Sequence, residues 1–115
     1  MILAYLSGHR SACKYKQDER ASKIAGLPAV YHSPRTEADT SILTVPLDKL
    51  AANIRKGEIQ PIEVLHAYGK EAIRAHMETN CLTEIMIEDA EKWVTEGELK
   101  GPLAGIPGIV TFNFN

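Results

Sequence analysis

The sequence predicts a mostly helical fold of about three to four helices with one or two short strands. Three observations lead to this prediction. Apolar side chains recur at helical spacing in three stretches after residue 41. Prolines or glycines stand at the ends of these stretches, where helices begin and stop. Alternating apolar and polar residues, the pattern of a strand, occur only in short segments near residues 82–87 and 109–115.

Length and charge limit the classes of protein to be considered. The chain has 115 residues, with 13 Lys and Arg against 15 Asp and Glu and a formal charge of -2, which fits one small domain. This balance argues against a nucleic-acid partner, since such proteins usually carry a strong basic excess. No apolar run approaches the roughly 20 residues of a membrane span. The two cysteines, Cys13 and Cys81, are expected to be reduced thiols in the cytoplasm.

The first 41 residues differ in composition from the remainder. They contain 6 of the Leu, Ile, Val and Phe residues, whereas residues 42–115 contain 22. We therefore expect residues 1–41 to form a basic helix followed by an extended linker. The linker is predicted over residues 26–44, which are rich in Pro, Ser, Thr and charged side chains.

Two stretches carry opposite charge. Residues 8–23 contain five basic and two acidic side chains, a net +3, and residues 78–100 contain seven acidic and two basic ones, a net -5. The basic stretch has two interpretations, a surface for nucleic acid or membranes, or a solvated helix face near the acidic stretch. The interspersed acids favour the solvated face.

Three helices are predicted after residue 41. In the first, Leu47 begins an apolar stripe, with Pro46 at the first turn and Gly57 after the end. The second runs from Pro61 to about Thr79. The third covers about 88–96. The side chains expected to face inward on these helices are Leu47, Leu50, Ala51 and Ile54, then Ile62, Leu65, Gly69, Ala72, Ile73 and Met77, and finally Ala90, Trp93 and Val94.

No catalytic, cofactor-binding or metal-binding residue is predicted from the residues themselves. The four histidines are too far apart, or on different helix faces, for a metal site, and neither cysteine has a partner at metal-ligand spacing. We therefore expect each of the four histidines to lie on the surface or to be hydrogen-bonded: His9, His32, His66 and His76. Cys81 is expected to be a small packed residue and Trp93 a core residue.

Three segments of the sequence, taken in order, carry a family resemblance. Residues 47–68 are predicted to form a short helix that ends in Gly-Glu-Ile, followed by a longer helix that begins at proline. Residues 80–85 read Asn-Cys-Leu-Thr-Glu-Ile, and residues 101–107 read Gly-Pro-Leu-Ala-Gly-Ile-Pro. These segments resemble, in the same order, the N-terminal part of the amidase signature family, in particular its fungal acetamidase and fatty acid amide hydrolase branches. The matches span residues 42–107.

The resemblance implies an α/β fold of which this chain is the N-terminal helical fragment. It also implies hydrolysis of a carboxamide C–N bond by a Ser–Ser–Lys triad, with no metal or organic cofactor. A small-molecule amide would be the substrate only of a full-length enzyme. In the family, Gly-Ile-Pro continues to the triad lysine, whereas an ungapped alignment places Thr111 there. No family catalytic residue maps onto this chain, which is expected to be inactive alone.

Residues 108–115 are interpreted as a divergent tail. It is either foreign sequence, introduced by a misread exon boundary or a retained intron, or part of a real truncated relative. The alternative function is a noncatalytic helical module that binds a protein partner through exposed apolar helix faces. Such faces are expected because family helices bury their apolar stripes on a sheet that this sequence does not contain.

Overall fold

The computed structural model describes residues 1–108, which contain six helices and no strand. The helices are α1 (Ile2–Ala25), α2 (Ala29–His32), α3 (Glu37–Thr44), α4 (Leu47–Lys56), α5 (Pro61–Thr79) and α6 (Ile87–Glu96).

Helix α5 is the centre of the fold, and α2, α3 and α6 pack against it. It begins after Gln60, whose backbone N–H donates to Glu63 Oε2 at 2.9 Å, as in a capping box. It ends at Asn80, which adopts the left-handed conformation with φ of 53°. The predicted helix over 61–79 is confirmed.

The predicted helices over 47–56 and 88–96 are also confirmed, as α4 and α6. Gly57 has a φ of 75°, the left-handed conformation that glycine adopts after a helix end. Helix α6 begins one residue earlier than expected, at Ile87, which is buried. Acidic residues stand in its first turn, where the helix dipole favours them.

The core consists of two apolar clusters on different parts of α5. One contains Leu27, Tyr31, Ile73, Ile85 and Ile87. The other contains Ile42, Leu50, Val64 and Ala67, with Ile106 among the partly buried side chains packed against it. Within residues 1–108, the large side chains that are completely buried are Leu50 and Val64, and both belong to the second cluster.

The extended linker predicted over residues 26–44 is wrong, because the segment contains α2 and α3. Helix α3 begins at a second capping box: the Asp39 N–H donates to Thr36 Oγ1 at 3.1 Å, and the Thr36 N–H donates to Asp39 Oδ2 at 2.8 Å. Ile42 then anchors α3 in the core. The polar composition that indicated a linker belongs to the cap and to the exposed side of this helix.

The short strand predicted over residues 82–87 is also wrong. Residues 80–86 form an irregular connection that leads into α6. Ile85 and Ile87, two positions apart, both pack in the first cluster. Their spacing is that of a strand, although the segment forms no strand hydrogen bonds. Within residues 1–108 there is no strand with which such a segment could pair. The second predicted strand, over 109–115, lies outside the described residues.

Four side chains that were expected to be buried are exposed instead: Leu47, Met77, Cys81 and Trp93. For the helical residues Leu47, Met77 and Trp93, the spacing identified an apolar face without identifying what would cover it. The expectation of exposed apolar helix faces is met at these positions.

Candidate functional site

Two of the three segments that carry the family resemblance pack against each other in the structure. The loop 101–107 lies against the helices of segment 47–68, since a Cβ added to Gly105 would be 3.1 Å from Ile54 and 3.1 Å from Pro61. Gly105 has a φ of 82°, and Ile106 packs on the second core cluster. This glycine is therefore required both by its backbone conformation and by the close approach of the loop.

The remaining segment with a family resemblance, residues 80–85, forms a turn between α5 and α6. Asn80 Oδ1 accepts a hydrogen bond of 2.9 Å from Arg20 Nη2 of α1. Nδ1 of the buried His76 accepts the backbone N–H of Leu82 at 3.1 Å. Burial, together with the nearby positive charge of Arg20, lowers the pKa of His76. The turn thus joins α1 to α5 through polar contacts and leaves the Cys81 thiol exposed.

A polar cluster of Tyr31, His66 and Glu91 joins α2, α5 and α6. The Tyr31 hydroxyl donates to Glu91 Oε1 at 2.8 Å, and His66 Nε2 lies 3.5 Å from the same oxygen. The rings of Tyr31 and His66 meet edge to face, with centroids 5.4 Å apart. Burial, and then the bond to the Glu91 carboxylate, raise the pKa of Tyr31.

Gly69 makes room for this cluster. A Cβ at that position would lie 2.6 Å from Cε1 and 2.9 Å from Cδ1 of Tyr31. The tyrosine ring therefore lies directly on the α5 backbone, and its hydroxyl is fixed by Glu91. Because the hydroxyl donates to a carboxylate and its pKa is raised, the cluster positions three helices and does not present an activated nucleophile.

A second polar contact, between Lys70 of α5 and Asp39 of α3, is buried. Nζ of Lys70 donates to Oδ2 of Asp39 at 2.7 Å, and the side chains are 9% and 10% exposed. Burial alone would raise the pKa of Asp39, but hydrogen bonds from Lys70 and Thr36 outweigh it and hold that pKa below its usual value. Sequence reasoning did not identify this pair, because its members are 31 positions apart.

The histidines and cysteines of α1 and α2 lie on the surface. His9 Nε2 is 3.6 Å from Cys13 Sγ one turn along α1, and both residues are exposed. His32 is exposed at the end of α2. Among residues 1–108, no group of three or more His, Cys, Asp and Glu side chains is arranged to hold a metal ion. Thr111, which aligns with the family's triad lysine, lies outside the described residues.

An apolar groove runs beside α6. It has a volume of about 310 Å³ and is lined by α6, by Leu65 of α5, and by the loop that ends at Gly108. Trp93 lies in it and is 60% exposed. The side chains that α6 contributes, with the residue before it, are Met86, Ala90, Trp93 and Val94.

None of the six helices described in residues 1–108 is both long and apolar enough to cross a bilayer.

Comparison with known proteins places this chain beside amidases. It is 39% identical to "Amidase 2" of Gibberella moniliformis over 65% of this chain, and 30% identical to "Amidase FG08078" of Gibberella zeae over 82% of this chain. It is 33% identical to "Fatty-acid amide hydrolase 1" of Sus scrofa over 57% of this chain. These alignments cover 16%, 19% and 11% of the respective relatives, so the chain spans less than a fifth of their length.

No protein-family model matches the chain. No solved structure matches it either. The relatives therefore indicate an amidase-related sequence.

Proposed function

We propose that residues 42–107 are the N-terminal helical part of an amidase signature hydrolase of the fungal acetamidase or fatty acid amide hydrolase type. The whole protein would hydrolyse carboxamide C–N bonds with a Ser–Ser–Lys triad. The observation that carries this proposal is the similarity to two Gibberella proteins named amidase, over 65% and 82% of this chain. That the alignments cover only 16% and 19% of those proteins fits a fragment of such an enzyme.

The packing of α4, α5 and the loop 101–107 supports the proposal, because it gives two family-like segments a shared structural role. Gly105 and Ile106 lock the loop onto both helices. We assign residues 1–41, of which α2 packs in the first core cluster, to a part of the chain outside the family resemblance, and residues 108–115 to a divergent tail. Two exposed thiols, Cys13 and Cys81, are compatible with a reducing compartment such as the cytoplasm.

In this proposal the described helices build the scaffold, and the reacting groups belong to other parts of a longer protein. No position of this chain matches the family's nucleophilic serine, bridging serine or lysine. The Tyr31 hydroxyl, whose pKa is raised, and the Glu91 carboxylate that accepts its hydrogen bond stabilise the helix packing. The chain by itself is therefore expected to be catalytically silent.

A graft tests the proposal. Residues 42–107 of this chain would replace the aligned segment of the Gibberella moniliformis protein, and ammonia release from short-chain and fatty acid amides would be measured. Activity within about tenfold of the parent is expected if the helices serve that scaffold. A control graft carries an unrelated helical segment of equal length and should be inactive.

The 115-residue chain is assayed in parallel, and sequencing downstream of the Pro107 codon locates the missing triad. A folded but inactive graft, or amide hydrolysis by the 115-residue chain itself, would contradict the proposal. A transcript without a downstream amidase reading frame would favour the second candidate, a noncatalytic module that binds a protein partner. The exposed Trp93 in the α6 groove is the observation that favours this candidate.

A further inference from the structure

Two apolar surfaces of the described chain lie open to solvent, and they differ in charge. The first is the N-terminal half of α1. All residues from 1 to 18 are exposed, and the side-chain contacts of α1 with the other described helices and turns begin at Lys16, which lies 3.6 Å from Glu84. At 1.5 Å per residue, about 20 Å of this helix extends beyond the rest of the described chain. Its exposed large apolar side chains are Met1, Ile2, Leu3, Tyr5 and Leu6.

Basic side chains flank this end of α1. Arg10 follows Leu6 by four positions and Leu3 by seven, so all three lie on adjoining parts of one helix face. Lys14 continues the same row four positions later. The N-terminal half of α1 is therefore an apolar helix surface bordered by positive charge.

The second surface is the groove beside α6. Its apolar floor includes Trp93 and Met86, both more than half exposed. Asp89 and Glu96 stand four positions before and three positions after Trp93, which places both acids along one border of the groove. The stretch 78–100 that contains α6 carries a net charge of -5, against +3 for residues 8–23.

We propose that the chain associates with a second copy of itself, with the N-terminal half of α1 of one copy seated in the α6 groove of the other. Each surface supplies what the other lacks: an exposed apolar helix meets an apolar groove, and Arg10 and Lys14 meet Asp89 and Glu96. Opposite charge along the border sets orientation and excludes like-charged partners. When each copy places its α1 in the groove of the other, both surfaces of both copies are covered, and the assembly ends at two copies. The inference does not depend on the proposed function.

A charge-swap experiment tests this assignment. The average mass of the 115-residue chain would be measured by sedimentation equilibrium at roughly 10 to 500 μM, since a helix-sized interface is expected to be weak. The wild-type mass should rise from 12.7 kDa toward twice that value with concentration, and less steeply at high salt. Arg10→Glu/Lys14→Glu alone and Asp89→Lys/Glu96→Lys alone should each remain monomeric, because helix and groove then carry the same sign.

Mixing the two variants in equal amounts should restore association. The acidic helix of the first variant then meets the basic groove of the second, and the basic helix of the second meets the acidic groove of the first, as in the wild type. All four positions are exposed, and circular dichroism verifies that each variant keeps its helices. Lys49→Glu/Lys56→Glu, an equal charge change at exposed positions of α4, should leave the association unchanged.

Four results would overturn the inference. The wild-type chain could stay monomeric throughout the concentration range. Association could persist in both charge variants, or be lost in both and absent from their mixture. Finally, a monomeric chain could bind vesicles of anionic lipid through Arg10 and Lys14, which would assign the α1 surface to a membrane.

Discussion

The Nζ atom of Lys70 donates a hydrogen bond of 2.7 Å to Oδ2 of Asp39, and this buried ion pair fastens α3 to α5. The same Asp39 oxygen accepts the backbone N–H of Thr36 at 2.8 Å and so completes the α3 cap. One carboxylate therefore both starts a helix and attaches it to the centre of the fold.

Lys70→Met is expected to destabilise the chain severely, because it leaves the Asp39 carboxylate buried without its cation. Breaking such a pair from one side costs about 3–5 kcal/mol. Urea unfolding at pH 7, followed by circular dichroism, measures the change. Lys49→Met, at an exposed position on α4, should alter the free energy of unfolding by less than about 0.5 kcal/mol.

The double variant Asp39→Asn/Lys70→Met should recover part of that loss, since no charge then remains buried while the introduced amide oxygen can still accept from the Thr36 N–H. The coupling from the double-mutant cycle should exceed about 1 kcal/mol. A coupling near zero would mean that the pair contributes nothing beyond its separate members.

Gly69→Ala is expected to destabilise the chain by about 1–3 kcal/mol, although alanine favours helices more than glycine does. The added methyl group would meet Tyr31 Cε1 at 2.6 Å, and the tyrosine ring is buried and tied to Glu91. Thermal unfolding measures the effect. Gly8→Ala is the matched control, because no atom lies within 4 Å of its added Cβ, and it should increase helicity. An equal gain from both substitutions would show that the Tyr31 ring moves freely.

Tyr31→Phe removes the hydrogen bond of 2.8 Å to Glu91 while keeping the ring over Gly69. A loss of about 1.5–3 kcal/mol is expected, the usual contribution of a hydrogen bond to a charged group. Tyr31→Phe/Glu91→Gln should be less destabilised than the sum of the two single variants. Additive losses in urea unfolding would argue that the hydroxyl and the carboxylate do not interact.

Stability should fall as the pH is lowered from 7 to below the ordinary histidine pKa of 6.5, because burial lowers the pKa of His76 in the folded chain. In that window the unfolded chain binds a proton that the folded chain does not, so protons favour unfolding. The slope from this one group cannot exceed about 1.4 kcal/mol per pH unit.

The free energy of unfolding, measured at intervals from pH 7 to 5, tests this expectation. His76→Gln should flatten the dependence in that window, whereas His32→Gln, at an exposed position, should leave it unchanged. A wild-type profile that is level between pH 7 and 5 would contradict the burial of an uncharged His76.

The helices whose limits depend on local signals could be predicted from the sequence. Pro61 and Asn80 bound α5, and Gly57 follows α4, because these residues favour or exclude helical backbone conformations on their own. Helix α3 also has a local signal, the Thr36–Asp39 capping box, which the polar composition of the surrounding segment concealed.

Contacts between distant residues could not be predicted in this way. Tyr31 is buried because Gly69, 38 positions later, leaves space for its ring. Trp93 has the spacing of a core residue, yet among residues 1–108 no element covers it. Periodicity identifies which residues share a helix face, whereas burial of that face depends on a partner that one sequence does not specify.

The position of Trp93 gives the chain an optical reporter of its own. It is the only tryptophan in the sequence, and it lies in the α6 groove and belongs to neither core cluster. Its fluorescence emission therefore responds to whatever enters the groove, and a blue shift on adding a partner would record occupancy while the helical core stays intact.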